Sequence, residues 1–194
     1  MAKIKLTKNE LKVQKDALKM YRRYLPTLTL KKQQLQSEIR TIEAKAKAVR
    51  KEREDLEFGF REWIAVFSET DAFPQGIITV SNIRKGKGNI AGVDIPVFEG
   101  ADFGRGEYDL YETPLWVDIA ANHMEKAMSL DLEAEVLDEQ VRLLEIELRA
   151  TSQRVNLFEK VKIPETEENI KKISIYMVTS RSVLWCVRKF QNAR

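Results

Sequence analysis

The most informative feature of this sequence is a heptad repeat of apolar residues in two long stretches, one toward each end of the chain. In residues 4–63, alternating steps of three and four select eighteen positions, of which fourteen are apolar. In residues 116–162, eleven of fourteen such positions are apolar. A repeat sustained over this many heptads is typical of a coiled coil. We therefore predict a mainly α fold, in which two long helices form an antiparallel coiled-coil hairpin around a small insert.

The two stretches also predict how the helices pair. If Trp63 and Trp116 form the last layer before the middle of the chain, antiparallel pairing matches residues whose numbers add to about 179. Sixty helical residues with a rise of about 1.5 Å each would give a rod of roughly 90 Å. The coiled-coil seam is expected to contain Leu28, Leu35, Ile42, Val49, Leu56, Trp63, Trp116, Leu137, Val141, Leu144 and Leu148.

Polar residues and prolines interrupt this pattern at a few places. Lys32 and Arg53 occupy seam positions, where their stems can lie along apolar neighbours or the residues can contact a third chain. His123, the only histidine, is expected to be packed in the seam. Pro26 and Pro164 each remove a helical hydrogen bond, so we expect a local bend or break at both.

The middle of the chain has a different composition. Residues 69–114 contain seven of the eight glycines, and the heptads stop there. Residues 76–81 and 89–98 predict two short strands of a β-hairpin, with the basic residues 84–88 as the turn between them. The acidic, glycine-rich residues 99–112 are predicted to form a surface loop. We therefore divide the chain into an N-terminal coiled-coil helix (residues 1–68), an insert (residues 69–114) and a C-terminal coiled-coil helix with a basic end (residues 115–194).

Charge is distributed unevenly, although the net charge is only +3. Residues 1–62 carry a net +8 and residues 115–170 a net −7. Exposed ion pairs are individually weak, so this complementarity would select the orientation of the helices more than it would stabilise them. Residues 171–194 contain six Lys or Arg and no Asp or Glu. The end of the hairpin where the termini meet is therefore expected to be strongly basic.

The composition argues against several classes of protein. With one histidine, one cysteine and no clustered carboxylates outside solvated faces, we expect no catalytic site, no metal and no cofactor. The basic residues 84–88 lack the spacing of a phosphate-binding loop, and motifs that read DNA or RNA are missing. No apolar run is long enough for a membrane span or a signal peptide. We expect a non-catalytic cytoplasmic protein without nucleic-acid binding or direct membrane insertion.

Two short segments carry a more specific signal. Residues 154–164 read RVNLFEKVKIP, and residues 89–96 read NIAGVDIP. The first resembles the pattern R-V-N-A-L-E-x-x-x-I-P of the central-stalk D subunits of V-type (V/A-type) ATPases, and the second is similar to that family's N-I-x-G-V-x-V-P. Residues 25–36, which read LPTLTLKKQQLQ, resemble the bacterial branch of the family. The matching signature residues are Arg154, Val155, Asn156, Glu159, Ile163, Pro164, Asn89, Gly92, Val93 and Pro96.

The resemblance implies the axle of a rotary ATPase or ATP synthase. Such a chain would transmit rotation between a ring of A and B catalytic subunits and the membrane rotor, coupling ATP hydrolysis or synthesis to transport of H⁺ or Na⁺. Its implied partners are the A and B subunits, the F subunit and an adapter to the rotor ring. The complex would hold it peripherally, on the cytoplasmic face of the membrane.

Two hypotheses concern the contact surfaces of such an axle. The basic end would meet acidic groups of the catalytic ring, unless it is only a solvated face. The insert would serve coupling, with the β-hairpin near the F subunit and the acidic loop facing the adapter. The residues proposed for the ring contact are Lys3, Lys5, Lys8, Lys12, Lys15, Lys171, Lys172, Arg181, Arg188 and Lys189.

A different class of protein also fits part of the pattern. Prefoldin-like chaperones join two helices through β-hairpins, and a plain coiled-coil scaffold would show the same heptads. Residues 154–164 and the basic C-terminal end favour the rotor over both alternatives.

Overall fold

The computed structural model describes residues 5–61, 78–106 and 116–191, with only the backbone described for residues 60, 61, 181–184 and 186–191. It is mainly helical with one two-stranded antiparallel sheet, which confirms the predicted fold class. The elements in chain order are α1 (Lys8–Arg61), β1 (Ile78–Ile90), β2 (Val93–Arg105), α2 (Trp116–Leu157), a π-helical segment (Phe158–Lys162) and α3 (Ile163–Gln191).

The chain divides into two compact units. The first unit contains Met1–Gln33 and Arg149–Arg194, and the second unit contains Gln34–Leu148. Each unit therefore combines a segment of α1 with a segment of the C-terminal half of the chain. The β-hairpin belongs to the second unit.

Aliphatic side chains from both helices form the core of the second unit. Leu35, Ile39 and Ile42 of α1 join Leu144 of α2 in one buried cluster, and Ile95 of β2 completes it. Leu35 and Leu144 are fully buried, and their numbers add to 179. Burial of a leucine side chain stabilises a fold by about 1.5–3 kcal/mol, so this cluster contributes several kcal/mol to the stability of the unit.

The residues that the heptads assign to the seam differ in burial. Leu35, Ile42 and Leu144 are buried, and Trp63 lies outside the described residues. A seam of only two helices leaves both of its edges open to water, and most of its members are covered on one side. The half-buried members are Leu28, Val49, Leu56, Trp116, Leu137, Val141 and Leu148.

Ion pairs connect the basic α1 with the acidic α2 in the second unit. The pairs are Arg50–Asp138 at 2.5 Å, Arg53–Asp131 at 3.2 Å and Glu52–Lys126 at 3.4 Å between nitrogen and oxygen. All six side chains are exposed to solvent, so each pair contributes at most about 1 kcal/mol. Arg53 keeps its guanidinium group at the surface although its position falls on the seam.

The hairpin turn lies at Ala91 and Gly92, and the prediction that residues 84–88 form the turn is wrong. Ile90 pairs with Val93, which leaves two residues in the loop. Both have positive φ, 52° for Ala91 and 82° for Gly92. This is a type I′ turn, whose twist matches that of the strands it joins.

Gly86 and Gly88 do not form a turn. Their lack of a side chain lets side chains of β2 pack closely against β1. A Cβ atom on Gly88 would lie 2.9 Å from a methyl carbon of Val97. The second strand was predicted to end at residue 98, but β2 continues to Arg105. Residues 99–105 are therefore strand and not part of an acidic surface loop, while residues 107–112 lie outside the described residues. Glu99 is an extra residue in β2, and Gly100 beside it has a φ of 138°.

The hairpin packs against the helices near its turn and at its open end. Near the turn, Ile95 is only 5% exposed, and Gln140 Nε2 of α2 donates a hydrogen bond of 2.5 Å to the carbonyl of Pro96. At the open end, Ile78 packs on the buried Val117. Ile78, Ile90, Val93 and Ile95 of the insert therefore pack on the core, while Val80 and Val97 are exposed.

His123 is exposed, so the prediction that it packs in the seam is wrong. At this end of α2 the buried residues are Val117, Ala120 and Ala121. Ile78 of the hairpin packs on Val117 and Ala121. A contact with the hairpin therefore decides which face of α2 turns inward here.

In the first unit, a π-helical turn interrupts the α-helix. The N–H of Ile163 donates to the carbonyl of Phe158, five residues earlier, so this turn holds one residue more than an α-helical turn. Pro164 follows directly and has no N–H to donate. The helix thus changes from π to α type next to Pro164 and continues through it, and α1 continues through Pro26 without a break.

The extra residue shifts one row of buried positions along the chain, whereas Asn169, on the other heptad row, is buried at its unshifted position with 8% exposure. Heptads continued from Phe158 predict buried side chains at Glu165 and Lys172, yet these two are exposed. Thr166 and Ile173, each one residue later, are buried at 5% and 0% exposure. Insertions that break a heptad must be absorbed by a change in helix winding. The π-helical turn absorbs one residue here and restores the buried seam beyond it.

Candidate partner-contact sites

Basic residues along one side of α1 form part of the predicted basic end. Lys8, Lys12, Lys15, Lys19 and Arg22 all project from the same side and are exposed; we call them the basic flank. Lys5 lies just before the helix and is exposed as well. The spacing of three and four residues brings these side chains into one row about 20 Å long. Such a row is suited to an acidic surface.

The C-terminal members of the predicted site lie on α3. Lys171 and Lys172 are exposed in the first unit. Arg181, Arg188 and Lys189 belong to α3, but their side chains are outside the described part of the chain, as is Lys3.

Carboxylates of α3 neutralise part of this positive charge. Arg22 of the basic flank donates a hydrogen bond of 2.6 Å to Glu167, and Lys172 lies 2.7 Å from Glu168. The hydrogen bond and charge of Lys172 hold the pKa of the Glu168 carboxyl below its ordinary value. Among the ion pairs of the described residues, none includes Lys8, Lys12, Lys15 or Lys19, so these four cations are our candidates for a partner contact.

The signature residues near position 90 build the hairpin turn. Asn89 accepts a hydrogen bond of 3.1 Å from the N–H of Gly92 and donates one of 2.7 Å to Asp94. Val93 packs on the aliphatic core, and the Pro96 carbonyl binds Gln140. These residues therefore have a structural role, which is to form the turn and fasten it to α2.

The second signature segment builds the π-helical turn. Val155 is buried, and Ile163 makes the hydrogen bond that defines the π turn. Pro164 is the second residue of α3. Arg154, Asn156 and Glu159 are exposed at the surface of the first unit, so they are available for contacts with another chain.

An ion pair fixes the open end of the hairpin on α2. Arg105 Nε lies 2.6 Å from Glu125 Oε1, and its Nη2 lies 3.1 Å from Oε2 of the same carboxylate. Arg105 also donates to Asn122. The hydrogen bond from Arg105 outweighs partial burial and lowers the pKa of Glu125.

We expect the Glu125→Gln substitution to lower the free energy of unfolding by about 0.5–1 kcal/mol at neutral pH, because the pair is bidentate but partly exposed. A carboxyl whose pKa is lowered by folding stabilises the protein above its ordinary pKa of 4.5. That contribution is lost as the pH falls through the pKa of the folded state. The difference in free energy of unfolding between the parent and Glu125→Gln should therefore vanish in acid.

Urea unfolding between neutral and acidic pH measures this effect. The matched control is Glu135→Gln, which changes an exposed carboxylate of the same helix. A difference between parent and Glu125→Gln that stayed constant with pH would contradict an ionic origin.

Contacts between the hairpin and the helices were the main feature that sequence reasoning missed. Val93 and Ile95 alternate with Asp94 and Pro96 in β2, and this alternation does indicate one buried face. Gln140 is polar, and nothing in the helical pattern indicated that it is buried. Among the described residues, no group of His, Cys, Asp or Glu could hold a metal ion, and no described helix is long and apolar enough to cross a membrane.

Comparison with known proteins agrees with the resemblance of the two signature segments. The family model for the D subunit of ATP synthase matches residues 10–178. The D subunit of the V-type ATP synthase from Borreliella burgdorferi is 49% identical over 177 residues, which covers 91% of this chain and 87% of that protein. The proteins of the same name from Chlamydia trachomatis and Chlamydia felis are 38% and 37% identical, each covering 94% of this chain and 90% and 88% of their own length.

Proposed function

Because the chain belongs to the family of ATP synthase D subunits, we propose that it is the central rotor shaft of a V-type rotary ATPase. It is a non-catalytic stalk component of that complex. In this role it transmits rotation between the catalytic ring and the membrane rotor, and so couples ATP hydrolysis or synthesis to transport of H⁺ or Na⁺. The observation that carries the proposal is the family match over residues 10–178.

The proposed partners follow from this place in the complex. They are the A and B catalytic subunits, the F subunit and an adapter to the membrane rotor, with the whole assembly on the cytoplasmic face of the membrane. The relatives named above are all ATP synthase subunits, so we do not retain the prefoldin-like alternative. The β-hairpin remains our candidate for the contact with the F subunit, through its exposed strand residues.

Contact with the catalytic ring is proposed for the basic flank and the lysines of α3. A shaft can bias a catalytic subunit only through contacts that differ between its open and closed states. Exposed, uncompensated lysines supply such contacts to a surface that carries carboxylates. The exposure of Lys8, Lys12, Lys15 and Lys171 supports this assignment.

Charge reversal tests the proposal in the assembled complex. Replacing Lys8, Lys12, Lys15 and Lys171 by Glu should reduce recovery of the chain with the A and B subunits by about tenfold at low salt. The number of ions pumped per ATP hydrolysed should fall in the complexes that still form. The difference from the parent should shrink as salt rises, because salt screens exposed charges.

A control with the same change in net charge separates contact from general electrostatics. Arg40, Lys45, Lys47 and Lys51 are exposed on α1 in the second unit, away from the hairpin strands, and their replacement by Glu should leave assembly and coupling within about twofold of the parent. Equal losses in both variants would contradict a specific contact. Failure of the parent chain to assemble with the A and B subunits would contradict the proposed function itself.

A further inference from the structure

The seam of α2 contains smaller side chains in one stretch than in the next. Three of its five seam positions in residues 120–134 are alanine, whereas all four in residues 137–148 are leucine or valine. Hydrophobic stabilisation grows with the apolar area that is buried, so α2 is held to α1 more weakly over residues 120–134. We call these residues the alanine-rich stretch. Its alanines are Ala120, Ala127 and Ala134, and the larger residues beyond it are Leu137, Val141, Leu144 and Leu148.

Residues of α1 at the same level compensate only in part. Arg53 lies 3.2 Å from Asp131, which places Arg53 beside the alanine-rich stretch. Although Arg53 falls on the seam, its side chain is 39% exposed. The seam residue one heptad before it, Ala46, is buried but small, and Val49 and Leu56 are half-buried. A further contact would therefore stabilise the position of α2 here.

The β-hairpin is attached to α2 near the start of the alanine-rich stretch. Arg105 donates hydrogen bonds to both carboxylate oxygens of Glu125 and one to Asn122. Ile78, the strand partner of Arg105, packs on the buried Val117. We call these contacts the open-end attachment.

A second attachment lies just beyond the other end of the stretch. Gln140 Nε2 donates a hydrogen bond of 2.5 Å to the Pro96 carbonyl, and Gln140 itself is buried. Ile95 beside Pro96 joins the buried cluster of Leu35 and Leu144. We call these contacts the turn-end attachment. The hairpin therefore contacts α2 near both ends of the stretch in which the seam is weakest.

The lengths of β2 and α2 between the two attachments agree. Nine residues separate Pro96 from Arg105, which corresponds to about 30 Å of strand. Eighteen residues separate Asn122 from Gln140, which corresponds to about 27 Å of helix. The strand therefore runs alongside α2 over the alanine-rich stretch without slack.

Between the attachments, the hairpin has no fully buried core of its own. Ile95 is the only fully buried residue in residues 78–106, and Val80, Asn82 and Arg84 are exposed. A two-stranded hairpin by itself is at best marginally stable in water. The two attachments therefore fix where the hairpin lies on α2.

We propose that the β-hairpin is a brace for the alanine-rich stretch, with Arg105 and Gln140 as positioning residues that hold its two ends on α2. The hairpin shares a twisting load on α2 only while both of its ends are attached. Loss of either attachment therefore removes the brace, and loss of the second adds little. The purpose of the brace rests on the proposed function, because a rotor shaft carries such a load.

Hydrogen exchange of the full-length chain tests the brace. Arg105→Met and Gln140→Met each remove the donors of one attachment and keep an unbranched apolar stem. In each variant, the amides of residues 128–134 should exchange about tenfold faster than in the parent, because this stretch of α2 opens more often. The double variant should also be about tenfold faster than the parent, whereas two independent attachments would give an increase of about a hundredfold and overturn the proposal.

The matched control is Arg142→Met, which removes an ion pair with Glu139 within α2. Exchange at residues 128–134 should then stay within about twofold of the parent, because that pair is exposed. Glu125→Gln is a milder variant of the open-end attachment and should give an increase of about threefold, because the neutral amide still accepts one hydrogen bond. All variants should keep the parent's helical content by circular dichroism. Faster exchange that is confined to the hairpin strands would show that the hairpin does not brace α2.

The assembled complex supplies a second readout and separates this inference from the proposed function. Without an opposing ion gradient, the double variant should hydrolyse ATP within about twofold of the parent rate, but against a gradient it should pump about threefold fewer ions per ATP. Unchanged pumping against the gradient would overturn the brace, while the proposed function would stand. Failure of the parent to assemble with the A and B subunits would contradict the proposed function, and the exchange measurement on the free chain would still decide on the brace.

Discussion

Deleting Glu135 should destabilise the protein by more than any single core substitution, whereas deleting Lys160 should change the free energy of unfolding by no more than about 1 kcal/mol. Both residues are exposed and charged, and both lie in the C-terminal helical region. The difference is that Glu135 lies within an uninterrupted heptad pattern, while Lys160 lies in the π-helical turn.

The physical reason is the direction in which side chains point. Removing one residue from an α-helix rotates everything beyond it by about 100° relative to what precedes it. Without Glu135, Leu137 and Leu144 would leave the core, and charged neighbours would enter it. Without Lys160, the π turn can become an ordinary α-helical turn, and Thr166 and Ile173 keep their places in the seam.

Thermal and urea unfolding followed by helical circular dichroism measure both effects. We expect the Glu135 deletion to lose cooperative unfolding, and the Lys160 deletion to unfold cooperatively with a midpoint close to the parent's. Similar losses in the two proteins would contradict the role of the π turn as the place where one extra residue is absorbed.

Replacing Leu144 by Ala should cost about 3 kcal/mol, within the range of about 2–5 kcal/mol for a fully buried leucine. Leu144 has no exposed surface and shares its cluster with Leu35 of α1 and Ile95 of β2. The cavity would therefore touch two helices and the hairpin at once. Collapse of one element onto the cavity would pull it from its other contacts, so relaxation should recover little of the loss.

The matched control lies two residues away. Ile146 is 56% exposed on the same helix, and Ile146→Ala should change the free energy of unfolding by less than about 0.5 kcal/mol. Hydrogen exchange adds a second measurement, because Leu144→Ala should also speed exchange of the β-hairpin amides near Ile95. Equal costs for both substitutions, or unchanged exchange in the hairpin, would show that the hairpin is not part of this core.

Much of the architecture could be predicted from local periodicity. Apolar residues at steps of three and four predicted two long helices. The register with numbers adding to 179 agrees with the contact of Tyr21 with Phe158 in the first unit and with the shared burial of Leu35 and Leu144 in the second. The two signature segments indicated the family that the comparisons show. These features depend on residues close in sequence or on a motif, and both are visible without coordinates.

The candidate contact surfaces were only partly predictable. Clusters of lysine indicated a basic end, because charge can be counted in a sequence. A second row on α1, Val13, Met20 and Tyr24, was not recognised, because only the structure shows that these large apolar side chains stay exposed.

By itself, the sequence determined the helices, their antiparallel partnership, the uneven charge and the family, because each follows from composition, spacing or a short motif. Only the tertiary structure decided the turn at Ala91 and Gly92, the exposure of His123, the burial of Ile95 and Gln140, and the one-residue shift at the π turn. Each of these depends on which distant surface a segment packs against. Packing energy is shared between residues far apart in the chain, so a local sequence pattern cannot predict these contacts.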